Sequence, residues 1–166
     1  MRILGIDPGS NATGWGVIAS ERGRHRLVAA GVVRTRATDP FDVRLMQIHA
    51  GVCAVIAEHR PEASAIEEIF QHKSAESALR LGMARGVALL ALAQADLAPV
   101  GYNPMVVKRS VGADGRADKA GVAKMVRLLL GIEDVLAADA SDALAIAITH
   151  AAHARTTAPL ARRGAP

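Results

Sequence analysis

The chain has 166 residues, which is enough for one domain with a single core. Hydrophobic residues make up 51% and charged residues 22%, so the composition excludes a wholly disordered or collagen-like chain. Twenty Lys and Arg against 16 Asp and Glu give a formal charge of +4, which favours a polyanionic partner. With one cysteine, Cys53, and no apolar run near the ~20 residues of a membrane span, we expect a cytoplasmic protein without disulfides or membrane contact.

The first third of the chain predicts three antiparallel strands. Short apolar or alternating segments occupy residues 2–7, 13–20 and 27–35. The first two are separated by the turn-forming segment 8–11, and we place the second turn at Arg24 or His25.

A helix and a buried strand follow. Asp39 is the expected cap of this helix and Pro40 its first residue, and the helical spacing of apolar residues stops before Pro61. The apolar segment 63–66 then predicts a strand that has Glu67 at its carboxyl end.

The second half predicts three more helices and one strand. The Ala- and Leu-rich segment 74–98 has apolar residues on more than one face, as expected of a helix that packs on a sheet and on a second subunit. A fifth strand over 99–103 ends at Pro104, and helices follow over about 118–130 and 138–154. We therefore expect one domain over residues 1–155 and a flexible basic tail over residues 156–166.

This order of elements predicts a ribonuclease H-like α/β fold. Three antiparallel strands followed by two further strands would form a five-stranded mixed sheet flanked by helices. In that arrangement the first and fourth strands are neighbours, so Asp7 and Glu67 would lie at adjacent strand ends.

Four acidic residues have positions that suggest chemistry. Asp7 and Glu67 end strands, and Asp139 and Asp142 lie three residues apart at the start of the last helix, on one face. Clustered carboxylates need a cation, and an all-oxygen ligand set favours Mg²⁺ or Mn²⁺ over zinc. Taken singly, each acid has an ordinary explanation as a turn cap, an ion-pair partner or a helix N-terminal acid.

Four segments of the sequence resemble the RuvC family of bacterial Holliday-junction resolvases. They are GIDPGSNATGWGVI from Gly5 to Ile18, AIEEIF from Ala65 to Phe70, SALRLGMARGVA from Ser77 to Ala88, and DASDALAIAITH from Asp139 to His150. The resemblance implies a homodimeric endonuclease that resolves four-way junction DNA by paired symmetric nicks in recombination and repair. It also implies cooperation with the branch-migration proteins RuvA and RuvB.

The resemblance assigns roles to the acidic residues. Asp7, Glu67, Asp139 and Asp142 match the family's metal-binding catalytic carboxylates. We expect them to hold two Mg²⁺ ions per subunit, with Mn²⁺ also supporting activity.

The expected DNA contacts are mostly basic. Residues 103–127 contain six basic residues and two acidic ones, a local excess equal to that of the whole chain. Phe70 would stack on an unpaired base at an opened junction, or else pack in the core as an ordinary Phe. The basic residues assigned to DNA are Lys73, Arg80, Arg85, Lys108, Arg109, Arg116 and Lys119.

Three other functions remain open from the sequence. The Gly-rich opening also resembles the phosphate-binding hairpin of actin-like sugar kinases and ATPases, but those proteins use two such domains and the chain has room for one. A related single-domain nuclease that trims RNA is a closer alternative. A junction-binding protein without catalysis is the third, although four acids in a DNA-binding face weigh against it.

Overall fold

The structure is a computed structural model that describes residues 1–68, 74–112 and 119–157. Its strands are β1 (Arg2–Asp7), β2 (Ala12–Glu21), β3 (Arg24–Arg34), β4 (Ala63–Glu67) and β5 (Pro99–Tyr102). Its helices are α1 (Phe41–His59), α2 (Ala75–Gln94), α3 (Pro104–Ser110), α4 (Lys119–Leu130) and α5 (Ala138–Thr157).

The strands form one mixed sheet in the order β3-β2-β1-β4-β5. β1 is antiparallel to β2 and parallel to β4, and β4 is parallel to β5. This arrangement confirms the predicted ribonuclease H-like α/β fold, including the neighbouring first and fourth strands.

The turn between β2 and β3 lies earlier than predicted. Arg22 and Gly23 both have positive φ, 49° and 85°, and they connect the paired residues Glu21 and Arg24. Two consecutive positive φ angles match the twist of a two-residue hairpin. The predicted turn at Arg24 or His25 is therefore wrong. The turn lies at Arg22 and Gly23, because Arg22 adopts a positive φ next to the glycine.

Helix α1 begins one residue later than its proline suggested. Pro40 is the N-cap residue and Phe41 the first helical residue, with no side-chain cap hydrogen bond. The predicted cap, Asp39, instead accepts a hydrogen bond of 3.1 Å from Nε2 of Gln47. The helix ends as predicted before Pro61, where Arg60 adopts the left-handed conformation.

Helix α2 ends earlier than predicted, and helix α3 was not predicted. Ser74 caps α2, but the helix stops at Gln94 and the chain turns through Asp96, which has a φ of 56°. Pro104 is the first residue of α3, a helix absent from the prediction. The side-chain oxygen of Asn103 caps this helix by accepting a hydrogen bond from the N–H of Met105. A proline at the first helical position costs no hydrogen bond.

The last two helices begin close to the predicted positions. α4 begins at Lys119, and the predicted start at residue 118 lies outside the described residues. α5 runs to Thr157, three residues past the predicted end. The rest of the predicted tail, residues 158–166, lies outside the described residues.

Helices cover both faces of the sheet, and alternate residues of β1 face opposite layers. Ile3 is buried with Leu144 of α5, whereas Leu4 is buried on the other face with Val52 of α1 and Leu92 of α2. Asp7, an even number of residues from Ile3, therefore faces α5. In the described part of the chain, no helix is both long and apolar enough to cross a membrane.

Candidate active site

Asp7 and Glu67 end two neighbouring parallel strands. Ile6 of β1 pairs with Ile66 of β4, so the next residue on each strand lies at the same edge of the sheet. Ala65 is buried in the layer that contains α5, and Glu67, two residues later, faces the same layer. The strand register thus brings both carboxylates to one face, as the sequence predicted.

Glycines in the sheet bring α5 and its two acids onto this edge. A Cβ added to Gly14 would overlap the carbonyl oxygen of Asp139, and one added to Gly5 would overlap that of Ala143. Gly14 is the direct cross-strand partner of the residue at the end of β1. The first turn of α5, which carries Asp139 and Asp142, therefore rests on the backbone of the sheet beside that strand end.

Burial and the neighbouring charges strongly raise the pKa values of two acids of this cluster. Burial, followed by the negative charge of Glu67, raises the pKa of Asp7 to about 8. Burial, followed by the negative charge of Asp142, raises the pKa of Glu67 to about 7. Lys119 opposes both increases, and Lys108 also opposes the second. The arrangement holds more negative charge than the nearby lysines balance.

Lys119 forms an ion pair with an acid of the cluster. Its Nζ lies 3.2 Å from Oδ2 of Asp142, and this contact raises the pKa of the lysine. Both residues line a cleft of about 230 Å³ beside α3, α4 and α5, which Asp7, Glu67 and Lys108 also line. The cleft is thus lined by acidic groups and by two lysines.

The other predicted DNA-binding residues have different surroundings. Arg80 on α2 forms an ion pair of 2.9 Å with Glu76. Arg85 donates from Nε to the carbonyl oxygen of Glu67 at 3.0 Å, so it supports the end of β4. Arg109 is exposed in the last turn of α3 and does not line the cleft. The remaining predicted residues, Phe70, Lys73 and Arg116, lie outside the described residues.

The sequence prediction missed Arg44, which is 4% exposed. Its Nη2 donates to the carbonyl oxygen of Ser10 at 2.6 Å and to Oδ1 of Asn11, and its Nε donates to the hydroxyl of Thr35. A signal was present, because Arg44 lies one turn before Ile48 on the buried stripe of α1. A charged residue in an apolar stripe needs polar partners or a ligand.

Comparison with known proteins identifies the family. The family profile described as "Crossover junction endodeoxyribonuclease RuvC" matches residues 3–150. The chain belongs to the RuvC family. It is 46% identical to RuvC of Bradyrhizobium diazoefficiens, over 95% of this chain and 90% of that protein. It is 47% identical to RuvC of Chloroflexus aurantiacus, over 94% of this chain and 96% of that protein.

Solved structures agree with this assignment. Thermus thermophilus RuvC in complex with a Holliday junction substrate superposes with a TM-score of 0.86 and 39% identity, over 95% of this chain and 97% of that one. The yeast mitochondrial Holliday junction resolvase shares the fold, with a TM-score of 0.63 and 14% identity over 93% of this chain and 80% of that one.

Family membership implies dependence on a divalent metal ion. Among the residues that the structure describes, no group of three or more His, Cys, Asp or Glu side chains is already placed to hold a metal ion. The donor chemistry nevertheless fits, since the clustered acids offer oxygen ligands to a hard cation. Burial, and after it the neighbouring acids, raise the pKa of Asp7 and of Glu67, and a bound divalent cation would favour the ionised form of both.

Proposed function

We propose that the chain is a metal-dependent endonuclease that resolves four-way DNA junctions by paired symmetric nicks during homologous recombination and repair. One observation supports this proposal above the others. Acids from β1, β4 and α5 come together at one edge of a fold that closely matches a RuvC bound to a Holliday junction.

The four acids would hold the metal ions. Asp7 and Glu67 extend from the sheet, and Asp139 and Asp142 from the helix, so the ligands come from two rigid elements. Two Mg²⁺ ions bound there, or Mn²⁺ in their place, would supply an activated water and stabilise the leaving 3′ oxygen.

Within the cleft, Lys119 has a distinct task. Its ammonium group balances part of the charge of the carboxylates, which helps to keep them ionised. It would also attract a DNA phosphate toward the acids, as would Lys108, which lines the same cleft. The other residues that we assign to DNA are Phe70, Lys73, Arg80, Arg85, Arg109 and Arg116.

We further propose that the enzyme acts as a homodimer through α2. Leu79, Met83 and Leu90 are 60%, 42% and 51% exposed on this helix. A side chain added to Gly82 or Gly86 would meet nothing within 4 Å in the described chain, so a second helix could approach closely there. A two-fold dimer would present one active site to each of two strands of a junction, which has approximate two-fold symmetry itself.

The cellular setting is also part of the proposal. Cooperation with RuvA and RuvB and a location in the cytoplasm follow from the family resemblance, and the free thiol of Cys53 suits a reducing compartment. We retain the division into a nuclease domain over residues 1–155 and a basic tail over residues 156–166, with α5 extending two residues into that tail.

A labelled mobile four-way junction and a linear duplex of matched sequence would test the function. Each is incubated with Mg²⁺, Mn²⁺ or a chelator, and the cuts are mapped on every strand. We expect paired, metal-dependent nicks on two strands of like polarity, confined to the junction. Binding without cutting under every metal would support a junction-binding module, and cutting of RNA alone would support an RNA-trimming nuclease.

The dimer has its own test. Met83→Glu places a charge on the exposed apolar face of α2, and we expect it to shift the protein to a monomer in sedimentation analysis. Met46→Glu is the matched control, because Met46 is 64% exposed on α1. An unchanged dimer in the Met83 variant would refute the assignment of this interface.

A further inference from the structure

A second cleft opens on the other side of the two strand-end acids, toward α1 and α2. Its volume is about 550 Å³, and Asp7 and Glu67 border it. The rest of its lining includes the turn over residues 8–12, Arg44 of α1 and Arg80 of α2. Of these residues, the sequence assigned roles to Asp7, Glu67 and Arg80 but none to Arg44.

Arg44 is a buried cation without an acidic partner in the described part of the chain. Its acceptors are the neutral oxygens of Ser10, Asn11 and Thr35. Its Nη1 donates to no described residue, although the side chain lines the cleft. A buried charge normally has a counter-charge, because leaving it unpaired is costly. The unused donors therefore point to an anionic ligand.

A second cation, Arg80, lies beside Arg44 on the ring of Phe41. The guanidinium carbons of Arg44 and Arg80 each lie 5.4 Å from the centre of this ring. The ring thus orients both arginines by cation–π contact. The ion pair of Arg80 with Glu76 is solvent-exposed and therefore weak, so it competes little with a bound anion.

We propose that this cleft is a phosphate subsite, in which Arg44 and Arg80 bind the DNA backbone phosphate next to the scissile one. Guanidinium groups suit this ligand, because their planar N–H donors match phosphate oxygens. The acids lie between this cleft and the one lined by Lys108 and Lys119. A DNA strand that crosses the acids would therefore meet basic groups on both sides. This subsite rests on the proposed junction-cutting function.

The test combines protein variants with DNA in which single phosphates have lost their charge. Junctions carry one methylphosphonate at each position flanking the cut, and single-turnover cutting in Mg²⁺ is measured. We expect one flanking substitution to slow the wild-type enzyme by about tenfold, the effect of one charge-assisted hydrogen bond. In Arg44→Gln the same substitution should slow cutting by only about threefold, because one of the two arginine contacts to this phosphate is already lost.

Two further variants keep this test decisive. Arg80→Gln changes an exposed side chain and should show the same coupling even if Arg44→Gln folds poorly. Arg26→Gln is the control, because Arg26 is exposed and pairs with Ala19 at the opposite end of the sheet. In Arg26→Gln the flanking methylphosphonate should slow cutting by about tenfold, as in the wild-type enzyme.

The possible failures have different meanings. A full tenfold effect in both arginine variants would overturn the subsite, as would a wild-type enzyme insensitive to every flanking methylphosphonate. Failure of the wild-type enzyme to cut the unmodified junction would instead refute the proposed function, and the subsite with it. A merely structural role for Arg44 would lower the melting temperature without changing the sensitivity to the modified phosphate.

Discussion

The substitution Asp7→Asn should stabilise the metal-free protein while abolishing its activity. Burial and neighbouring acids raise the pKa of Asp7 from its ordinary 3.8 to about 8. An acid with a higher pKa in the folded than in the unfolded protein binds more protons when folded. Stability therefore falls as the pH rises from about 4 to about 8, and above that range the full cost is present. Asparagine carries no charge and avoids this cost.

The size of the effect follows from the shift in pKa. A tenfold change in proton affinity corresponds to about 1.4 kcal/mol, so ionised Asp7 costs the fold on the order of 5 kcal/mol at pH 8. The buried amide of asparagine must also be hydrogen-bonded and the cleft is open to water, so we expect a net gain of about 2 kcal/mol. For a chain of this length that gain raises the melting temperature by about 4–8 °C.

The assay is thermal unfolding in chelator at pH 5 and pH 8. The gain should be largest at pH 8 and should shrink to less than half at pH 5, where Asp7 of the wild-type protein is protonated in the folded state. Mg²⁺ should raise the melting temperature of the wild-type protein more than that of the variant. Asp134→Asn, at an exposed position, is the control and should show neither effect. A variant less stable than wild type at pH 8, or an equal gain at both pH values, would refute the electrostatic argument.

Three other substitutions test separate parts of the structure. Lys119→Ala should weaken junction binding and reduce the slope of log affinity against log salt by about one, as expected for one lost phosphate contact; an unchanged slope would exclude that contact. Gly14→Ala should destabilise the protein by about 2 kcal/mol or more and reduce cutting, because the new methyl group overlaps the carbonyl of Asp139; wild-type melting would contradict the close packing. Tyr102→Phe removes a 3.1 Å hydrogen bond to His150 and should cost about 1 kcal/mol in denaturant unfolding without changing the rate of cutting; a large loss of cutting would give this pair a role in the reaction.

The strands of the sheet were predictable because their signals are local. Alternation and apolar runs located β1 to β5 within a few residues, and the order of elements gave the sheet topology. The ends were less predictable, since they depend on competition between neighbours. Pro40, not the predicted Asp39, is the N-cap residue of α1. Pro104, which we expected only to end a strand, is the first residue of α3, because Asn103 caps that helix.

Asp7 lies near enough to Glu67, Asp139 and Asp142 for their charges to raise its pKa, and this proximity was predictable only through the fold and the family resemblance. No spacing in the sequence states that residue 7 and residue 142 are neighbours, because a long-range contact depends on the sheet between them. The structure adds how this contact arises, from glycines that allow α5 to lie directly on β1 and β2. Arg44 was missed because its partners, Ser10 and Thr35, are distant in sequence and are not acidic.

The direct contact between α5 and the sheet ties the shape of the active site to the integrity of the fold. At Gly5 and Gly14 the helix backbone and the strand backbone touch without a layer of side chains between them. Such a contact has no side chain that can adjust its rotamer to absorb a small displacement. The spacing of the acids should therefore stay constant on warming until the helix separates from the sheet as a unit. Heat should consequently remove catalytic competence and tertiary structure in a single transition, with no preceding range in which a folded enzyme has a loosened site.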